Sequence, residues 1–253
     1  MTESTSRIPD DYVAATTMLR DRVILVTGGG QGLGQAVALE AARCGATVAL
    51  LGRSREKLAA TYDAIIGADG PTPAMIPLDL GAAGTTEYES LVQLIRRELK
   101  RLDGIVHCAA HFVPLSPLAG QTPEQWSQLL KVNLIAPFAL TRACLPLLQA
   151  APDSSVVFVG ETHGATPLAY WGGFAVAKSA LPALASIWAQ ELEHRGKPRM
   201  NVFIPGPIAT PQRMQSHPGE DRGRLRSAQS AARSLLYLLG PDATNANGMT
   251  VFL

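Results

Sequence analysis

The residues with the clearest chemical meaning form a glycine-rich segment near the start of the chain, Thr27–Gly34, with the sequence TGGGQGLG. An apolar run, Val23–Val26, precedes it, and an alanine-rich stretch, Gln35–Arg43, follows it. Glycines permit positive φ and close approach of a ligand, and the free N–H groups of a helix N-terminus attract anions. Strand, glycine turn and helix in this order predict a site for the diphosphate of a dinucleotide. The residues expected to form this site are Thr27, Gly28, Gly30, Gln31, Gly32, Leu33 and Gly34.

A second candidate site follows the next apolar segment, Thr47–Leu51. An acidic residue at this point usually binds the free 2′-hydroxyl of NAD(H), but the sequence here is Gly52-Arg53-Ser54. A guanidinium binds a 2′-phosphate through two charge-assisted hydrogen bonds, so Arg53 favours NADP(H) over NAD(H). The alternative is that Arg53 is a solvated surface residue. Further on, Asp79 is either a loop-capping residue or a contact to adenine.

The elements that must position these residues alternate along the chain. Short apolar segments with strand character are separated by segments of helical periodicity, such as Tyr88–Leu102. This alternation predicts an α/β fold, a single Rossmann-like, doubly wound parallel sheet of about seven strands with helices on both faces. Ligands of such sheets bind beyond the carboxyl ends of the strands. We expect residues 1–20 to be an N-terminal extension with a short helix at Pro9–Leu19, and residues 21–253 to form one NAD(P)-binding domain.

Composition excludes several other classes of protein. The 253 residues carry a net charge of +1, which argues against a nucleic-acid-binding surface. The three cysteines (Cys44, Cys108 and Cys144) are far apart, so neither a disulfide framework nor a metal site is expected. We find no signal peptide and expect no apolar run of membrane-spanning length. The expectation is a cytoplasmic protein without a nucleic-acid or membrane partner.

The order and spacing of these motifs resemble those of the short-chain dehydrogenase/reductase family, from about Arg22 to Phe252. The resemblance implies a Rossmann-like fold and a nicotinamide dinucleotide cofactor. The matching residues are Thr27, Gly28, Gly32 and Gly34 of TGxxxGxG, Asp79 and Leu80 at the adenine position, the helix-borne Asn133, Lys178 of YxxxK, and Pro205, Gly206 and Thr210 of PGxxxT. Ala109, in the segment that corresponds to the family's NNAG, and Ile208 complete the implied cofactor contacts.

The resemblance fails at two positions that touch substrate in the family. There, a tyrosine four residues before the lysine transfers a proton, the lysine holds the ribose, a serine binds the substrate oxygen, and the asparagine holds a water. In this chain Phe174 occupies the tyrosine position and Glu161 the serine position. A phenyl ring carries no titratable proton. The catalytic positions implied by the resemblance are therefore Asn133, Glu161, Phe174 and Lys178, in an atypical, degenerate arrangement.

Three interpretations follow. In the first, the protein is a working oxidoreductase for an unknown carbonyl or alcohol substrate, in which Glu161, Thr162, His163 or Tyr170 replaces the tyrosine. A salt bridge between Glu161 and Lys178 is expected in this case. In the second, the protein binds dinucleotide without turnover and has a sensing, regulatory or assembly role. In the third, only the scaffold remains, which the intact glycine segment argues against.

Two further expectations concern assembly and substrate access. The regions Gln125–Leu148 and Phe174–Glu193 are rich in alanine and leucine, and the family resemblance implies that such helices pair in a homodimer or homotetramer. The alternative is a monomer whose apolar helices only cover the sheet. The segment Pro211–Arg226 is polar and contains four arginines, which predicts a mobile lid over a polar or anionic ligand.

Overall fold

The computed structural model describes residues 5–8 and 12–253. The strands are β1 (Thr5–Arg7), β2 (Val23–Thr27), β3 (Thr47–Gly52), β4 (Ala74–Pro77), β5 (Gly104–His107), β6 (Ser155–Val159), β7 (Arg199–Ile204), β8 (Ile208–Ala209), β9 (Arg226–Ser227) and β10 (Thr250–Phe252). The α-helices are α1 (Gly32–Arg43), α2 (Arg55–Gly67), α3 (Thr85–Glu98), α4 (Pro123–Leu130), α5 (Ala136–Ala150), α6 (Thr162–Ala165), α7 (Gly172–Ser179), α8 (Leu181–Glu191), α9 (Pro211–Ser216) and α10 (Ala228–Leu236).

One parallel sheet organises the chain, with the strand order β1-β10-β7-β6-β5-β2-β3-β4. The register places Leu25 beside Ala49 of β3 on one side and Ile105 of β5 on the other. Strands β2, β5, β6 and β7 are buried along their whole length, which explains why they are mainly apolar and do not alternate with polar residues. In β7, the buried Asn201 donates to the carbonyl of Ala246 and Arg199 donates to that of Leu238. The predicted α/β, doubly wound parallel sheet is confirmed.

Successive residues of the central strands face two separate cores. Ile24 and Val26 of β2 pack into the core that α1 and α10 cover, whereas Val23 and Leu25 pack into the core that α3, α5 and α8 cover. Because side chains alternate across a strand, helices on both faces are required to bury a strand of this composition. This two-sided coverage leaves the carboxyl edge of the sheet as the place where a ligand can enter.

The N-terminal residues differ from the sequence prediction. Residues Thr5–Arg7 form an eighth strand of the sheet, paired in parallel with Thr250–Phe252. The predicted helix at 9–19 is wrong for residues 12–19, which form an irregular segment and a turn, and residues 9–11 lie outside the described residues. The turn is held by a hydrogen bond from Leu19 N to Cys44 O (2.9 Å). A local pattern does not reveal a strand of three residues, because its pairing partner lies at the other end of the chain.

Helices α4 and α5 are joined by a π-helical turn, Lys131–Ile135. Pro137 has no N–H to bond the carbonyl of Asn133, and a π-helical turn accommodates this missing bond. Within the described residues, the continuous stretch Pro123–Ala150 is long and apolar enough to cross a membrane by length and composition, contrary to the sequence expectation. Leu140 and Leu148 are fully buried in the core, so packing against the sheet accounts for part of this apolarity, while 44% of the apolar window is buried.

Candidate active site

A cleft of about 680 Å³ opens at the carboxyl edge of the sheet. Its volume is within the range of about 300–1,000 Å³ that is usual for ligand sites. Most of the residues singled out in the sequence line it, although they come from segments far apart in the chain. The predicted site residues in its wall are Gly28, Gly30, Gln31, Gly32, Leu33, Gly34, Arg53, Asp79, Leu80, Ala109, Glu161, Phe174, Lys178, Pro205, Gly206, Ile208 and Thr210.

The glycine segment forms a tight turn between β2 and α1. Gly32 has φ +58°, and a Cβ at Gly34 would lie 2.7 Å from the carbonyl carbon of Gly28, so the backbone can pass this closely only with glycine there. The side-chain oxygen of Gln31 accepts a hydrogen bond from Lys57 Nζ (2.5 Å) instead of capping α1. The first N–H groups of α1 therefore stay available to an anionic group in the cleft.

Thr27 and Asn133 shape the cleft without lining it. Thr27 Oγ1 accepts a hydrogen bond from Ala109 N (3.0 Å), which ties the glycine turn to the loop after β5. The fully buried Asn133 donates from Nδ2 to the carbonyl oxygens of His111 (2.8 Å) and Leu129 (2.9 Å) and accepts from His111 N (3.3 Å). The amide of Asn133 therefore clamps the loop after β5 to the π-helical turn.

Arg53 and Asp79 lie on the cleft wall after β3 and β4. Asp79 Oδ1 accepts from Gly81 N (2.8 Å), the loop-capping role that we gave as one alternative. His111 also lines the cleft and was missed, although its position just after β5 could have indicated it. Burial lowers the pKa of His111 and the charge of Arg53 lowers it further, whereas Asp79 opposes the shift. A neutral imidazole is therefore favoured at neutral pH.

Lys178 is held deep in the cleft wall. Its side chain is buried, and Nζ donates to the carbonyl oxygen of Val159 at the end of β6 (2.8 Å). Burial lowers the pKa of Lys178 to about 8, and the charge of Glu161 acts in the opposite direction. Nζ also lies 5.8 Å from the ring centroid of Phe174. The ammonium of Lys178 therefore loses its proton more easily than an exposed lysine does, and it lies beside Phe174, the ring at the position of the family's tyrosine.

The predicted salt bridge between Glu161 and Lys178 is wrong. The ion pairs of the described chain do not join these two residues. Glu161 Oε1 instead accepts a hydrogen bond from Thr162 N (2.9 Å) at the start of α6, while Lys178 is held by Val159. Glu161 and Lys178 therefore each form a hydrogen bond to a nearby backbone group instead of to each other. The carboxylate of Glu161 remains on the cleft wall.

Phe174 belongs to an aromatic wall that periodicity did not reveal. It is 2% exposed and packs edge-to-face on Phe112, with ring centroids 5.2 Å apart. Trp171 lies 6.1 Å from Phe174 and 5.9 Å from Phe112 by the same measure, and all three line the cleft. We name Phe112, Trp171 and Phe174 the aromatic wall. Sequence reasoning missed the first two because they flank the cleft from different loops.

Of the four groups considered as replacements for the tyrosine, the described cleft lining includes Glu161 and omits Thr162, His163 and Tyr170. Tyr170 is 57% exposed and adopts φ +75°, an uncommon conformation for a bulky residue. The His163 ring packs on Trp171, 4.2 Å between centroids. Of these four groups, Glu161 alone lines the described cleft, together with Lys178, whose Nζ lies 5.8 Å from the Phe174 ring centroid.

The segment Pro211–Arg226 is more ordered than predicted. It contains α9, and its last residue begins β9, which pairs with β8. Arg213 forms a two-bond ion pair with Glu220 (2.5 and 2.7 Å), and this pairing lowers the pKa of Glu220. Thr210, which we expected to contact a cofactor, accepts from Arg213 N (3.3 Å) as the N-cap of α9. Part of the arginine charge is thus already neutralised within the segment.

Comparison with known proteins gives the class to which this fold and cleft belong. Residues 22–221 match the family model described as short chain dehydrogenase. The chain therefore belongs to the short-chain dehydrogenase/reductase family of oxidoreductases, which bind nicotinamide dinucleotides.

Individual relatives match over nearly the whole chain. The oxidoreductase YciK of Escherichia coli K12 is 36% identical over 239 residues, 94% of each chain. A short chain dehydrogenase of Pseudomonas syringae is 38% identical with a TM-score of 0.93, over 96% of this chain and 98% of that one. A Shigella flexneri 2a short chain dehydrogenase, solved as a complex with NADP, is 35% identical with a TM-score of 0.91, over 94% of this chain and 99% of that one.

Proposed function

We propose that this protein is an NADP(H)-dependent oxidoreductase that transfers hydride between the cofactor and a substrate held against Glu161, Lys178 and the aromatic wall. The observation that carries the cofactor assignment is Arg53 on the cleft wall after β3, where a carboxylate would select NAD(H). The Shigella flexneri relative solved with NADP supports the same assignment.

The residues present fit such a cofactor. The glycine turn and the uncapped N-terminus of α1 suit the diphosphate, and Arg53 with Lys57 suits the 2′-phosphate, since all line one side of the cleft. Lys178 would hold the ribose beside the nicotinamide, and Pro205, Gly206, Ile208 and Thr210 would bind the nicotinamide end. When bound, the cofactor supplies or accepts the hydride.

The residues of the chain would orient the substrate and supply any proton that the reaction needs. Phe174 cannot exchange a proton, so a substrate that needs a proton would have to take it from Glu161 or Lys178, both of which line the cleft. Their presence beside Phe174 favours catalysis over the alternative of a pseudoenzyme with a sensing or assembly role. Asn133 contributes by fixing the loop that carries His111.

Replacing Arg53 with alanine is expected to weaken NADPH binding by about 10–100-fold, because charge-assisted hydrogen bonds contribute about 1.5–3 kcal/mol. The affinity for NADH should change by less than about threefold, since NADH lacks the 2′-phosphate. Calorimetry gives the dissociation constants of NADPH and NADH for wild type and Arg53→Ala. Arg55→Ala, at the first residue of α2 and outside the described cleft lining, is the matched control. An equal loss for NADPH and NADH would show that Arg53 does not contact the 2′-phosphate.

We also propose that the protein forms a homodimer through α5, α7 and α8, with a homotetramer as the larger alternative. Helices α5, α7 and α8 expose Phe138, Val176 and Ile187, and the π-helical turn before α5 exposes Ile135. Phe138 stacks on Trp188 with centroids 6.3 Å apart, and Trp188 Nε1 is buried with no hydrogen-bond partner among the described residues. We infer that these exposed apolar side chains form one patch, which is typical of a protein interface.

Ile187→Lys is expected to convert the dimer to a monomer, because a charge at the centre of an apolar interface is left without a partner. Light scattering coupled to size-exclusion chromatography measures the mass. Ile66→Lys, which places the same charge at an exposed isoleucine on α2, should leave the mass unchanged. A monomeric wild type, or equal behaviour of the two variants, would contradict the proposal.

A further inference from the structure

The substrate half of the cleft contains a carboxylate, Glu161, that forms no direct ion pair. Glu161 lines the cleft and is partly buried, and no cation lies within 4.0 Å of it in the described part of the chain. One oxygen accepts from Thr162 N (2.9 Å), a neutral backbone donor. A carboxylate partly removed from water in this way is stabilised by any cation that enters the cleft.

Two of the cations that line the cleft are held by hydrogen bonds to protein groups. Lys178 Nζ donates to the Val159 carbonyl, and Arg213 is paired with Glu220 through two hydrogen bonds. The bond to a neutral carbonyl leaves the charge of Lys178 in place, and this charge acts on Glu161 only from beyond 4.0 Å. Glu161 therefore remains free to contact a cationic ligand directly.

The aromatic wall also favours a cationic ligand. Phe112, Trp171 and Phe174 line the cleft together, with centroids 5.2 to 6.1 Å apart. The faces of aromatic rings attract cations and offer little to a neutral carbonyl oxygen. A carboxylate and several aromatic rings in the wall of one cleft are a combination suited to an organic cation.

The missing phenol at position 174 restricts the chemistry further. Hydride addition to a ketone produces an alkoxide, which needs a proton, and Phe174 has none to give. Hydride addition to an iminium carbon needs no proton, because the carbon–nitrogen π pair becomes the lone pair of a neutral amine. The group absent from this cleft is therefore the group that an iminium substrate does not require.

From these observations, and resting on the proposed NADP(H) function, we propose that the substrate class is an N,N-disubstituted iminium cation, bound by Glu161 and the aromatic wall and reduced to a tertiary amine. In this step one hydride adds to the iminium carbon and the carbon–nitrogen π bond breaks. The reductant is a reduced nicotinamide dinucleotide, which is left in its oxidised, cationic form. No proton is taken up or released, and the positive charge passes from substrate to nicotinamide, so the total charge of the cleft is unchanged.

Binding tests the cation site independently of turnover. The probe is N,N-dimethyl-1,2,3,4-tetrahydroisoquinolinium, a fixed cation that cannot accept hydride, titrated calorimetrically into NADPH-loaded and cofactor-free protein. Glu161→Gln should weaken its binding by about tenfold or more, because the amide keeps the hydrogen bond to Thr162 N but loses the charge. Glu89→Gln, the same change on the exposed face of α3, should have no effect. The neutral analogue 1-tetralone should not distinguish wild type from Glu161→Gln.

Turnover tests the reaction. NADPH oxidation is followed with N-methyl-3,4-dihydroisoquinolinium and with 1-tetralone, after subtraction of the enzyme-free rate. We expect kcat/KM for the iminium to exceed that for the ketone by about 10²-fold or more, the usual worth of the missing acid. A faster ketone reaction, or cation binding that is insensitive to Glu161→Gln, would overturn the inference. Loss of NADPH binding would count against the proposed cofactor instead, and the cofactor-free titration would still decide the cation site.

Discussion

Replacing Phe174 with tyrosine is expected to raise the rate of NADPH-dependent ketone reduction by about 10²–10⁴-fold. The ring lies on the cleft wall with Lys178 Nζ 5.8 Å from its centroid, so a phenol there would be next to a cation. A neighbouring cation favours the phenolate and lowers the pKa of the phenol, which makes it a better proton donor near neutral pH. The measurement is kcat and kcat/KM over a panel of ketones, for wild type and Phe174→Tyr.

Phe112→Tyr is the matched control for this experiment. It adds a phenol to the same aromatic wall but at the ring that packs on the far edge of Phe174, and should leave ketone reduction within about threefold of wild type. A wild type that already reduces ketones at ordinary rates, and that loses this activity in Glu161→Gln, would show instead that Glu161 supplies the proton. Glu161 would then replace the missing phenol as the acid, and the gain expected for Phe174→Tyr would not appear.

Replacing Gly34 with alanine is expected to reduce NADPH affinity by about 100-fold or more. A Cβ at this position would lie 2.7 Å from the carbonyl carbon of Gly28, so the first turn of α1 must move away from the glycine turn. Overpacking of this kind costs about 1–3 kcal/mol or more. The displacement also turns the free N–H groups of α1 away from the anion that they would bind. Calorimetric dissociation constants and the melting temperature of the cofactor-free protein measure the two effects.

Gly67→Ala is the control for a general glycine effect. Gly67 ends α2, and a Cβ there would meet no described atom within 4 Å, so neither stability nor affinity should fall. Unchanged NADPH affinity in Gly34→Ala would mean that the glycine turn does not bind the diphosphate.

The sequence by itself determined the class of fold and the place of the cofactor cleft. Buried parallel strands must be apolar along their whole length, and covering helices must have one apolar face, so their alternation is visible without coordinates. The glycine turn is equally visible, because strand β2, the turn and helix α1 are consecutive and their geometry depends on local glycines. Arg53 could be predicted for the same reason, since it directly follows β3.

Only the tertiary structure decided how the substrate half of the cleft is built. The aromatic wall combines Phe112 from the loop after β5 with Trp171 and Phe174 from the start of α7, about 60 residues further along the chain. Spacing also suggested that Glu161 and Lys178 would pair, yet each side chain found a nearer backbone partner. The physical reason is that side-chain directions and long-range contacts depend on how the helices pack on the sheet, whereas strand and turn geometry depends on neighbouring residues.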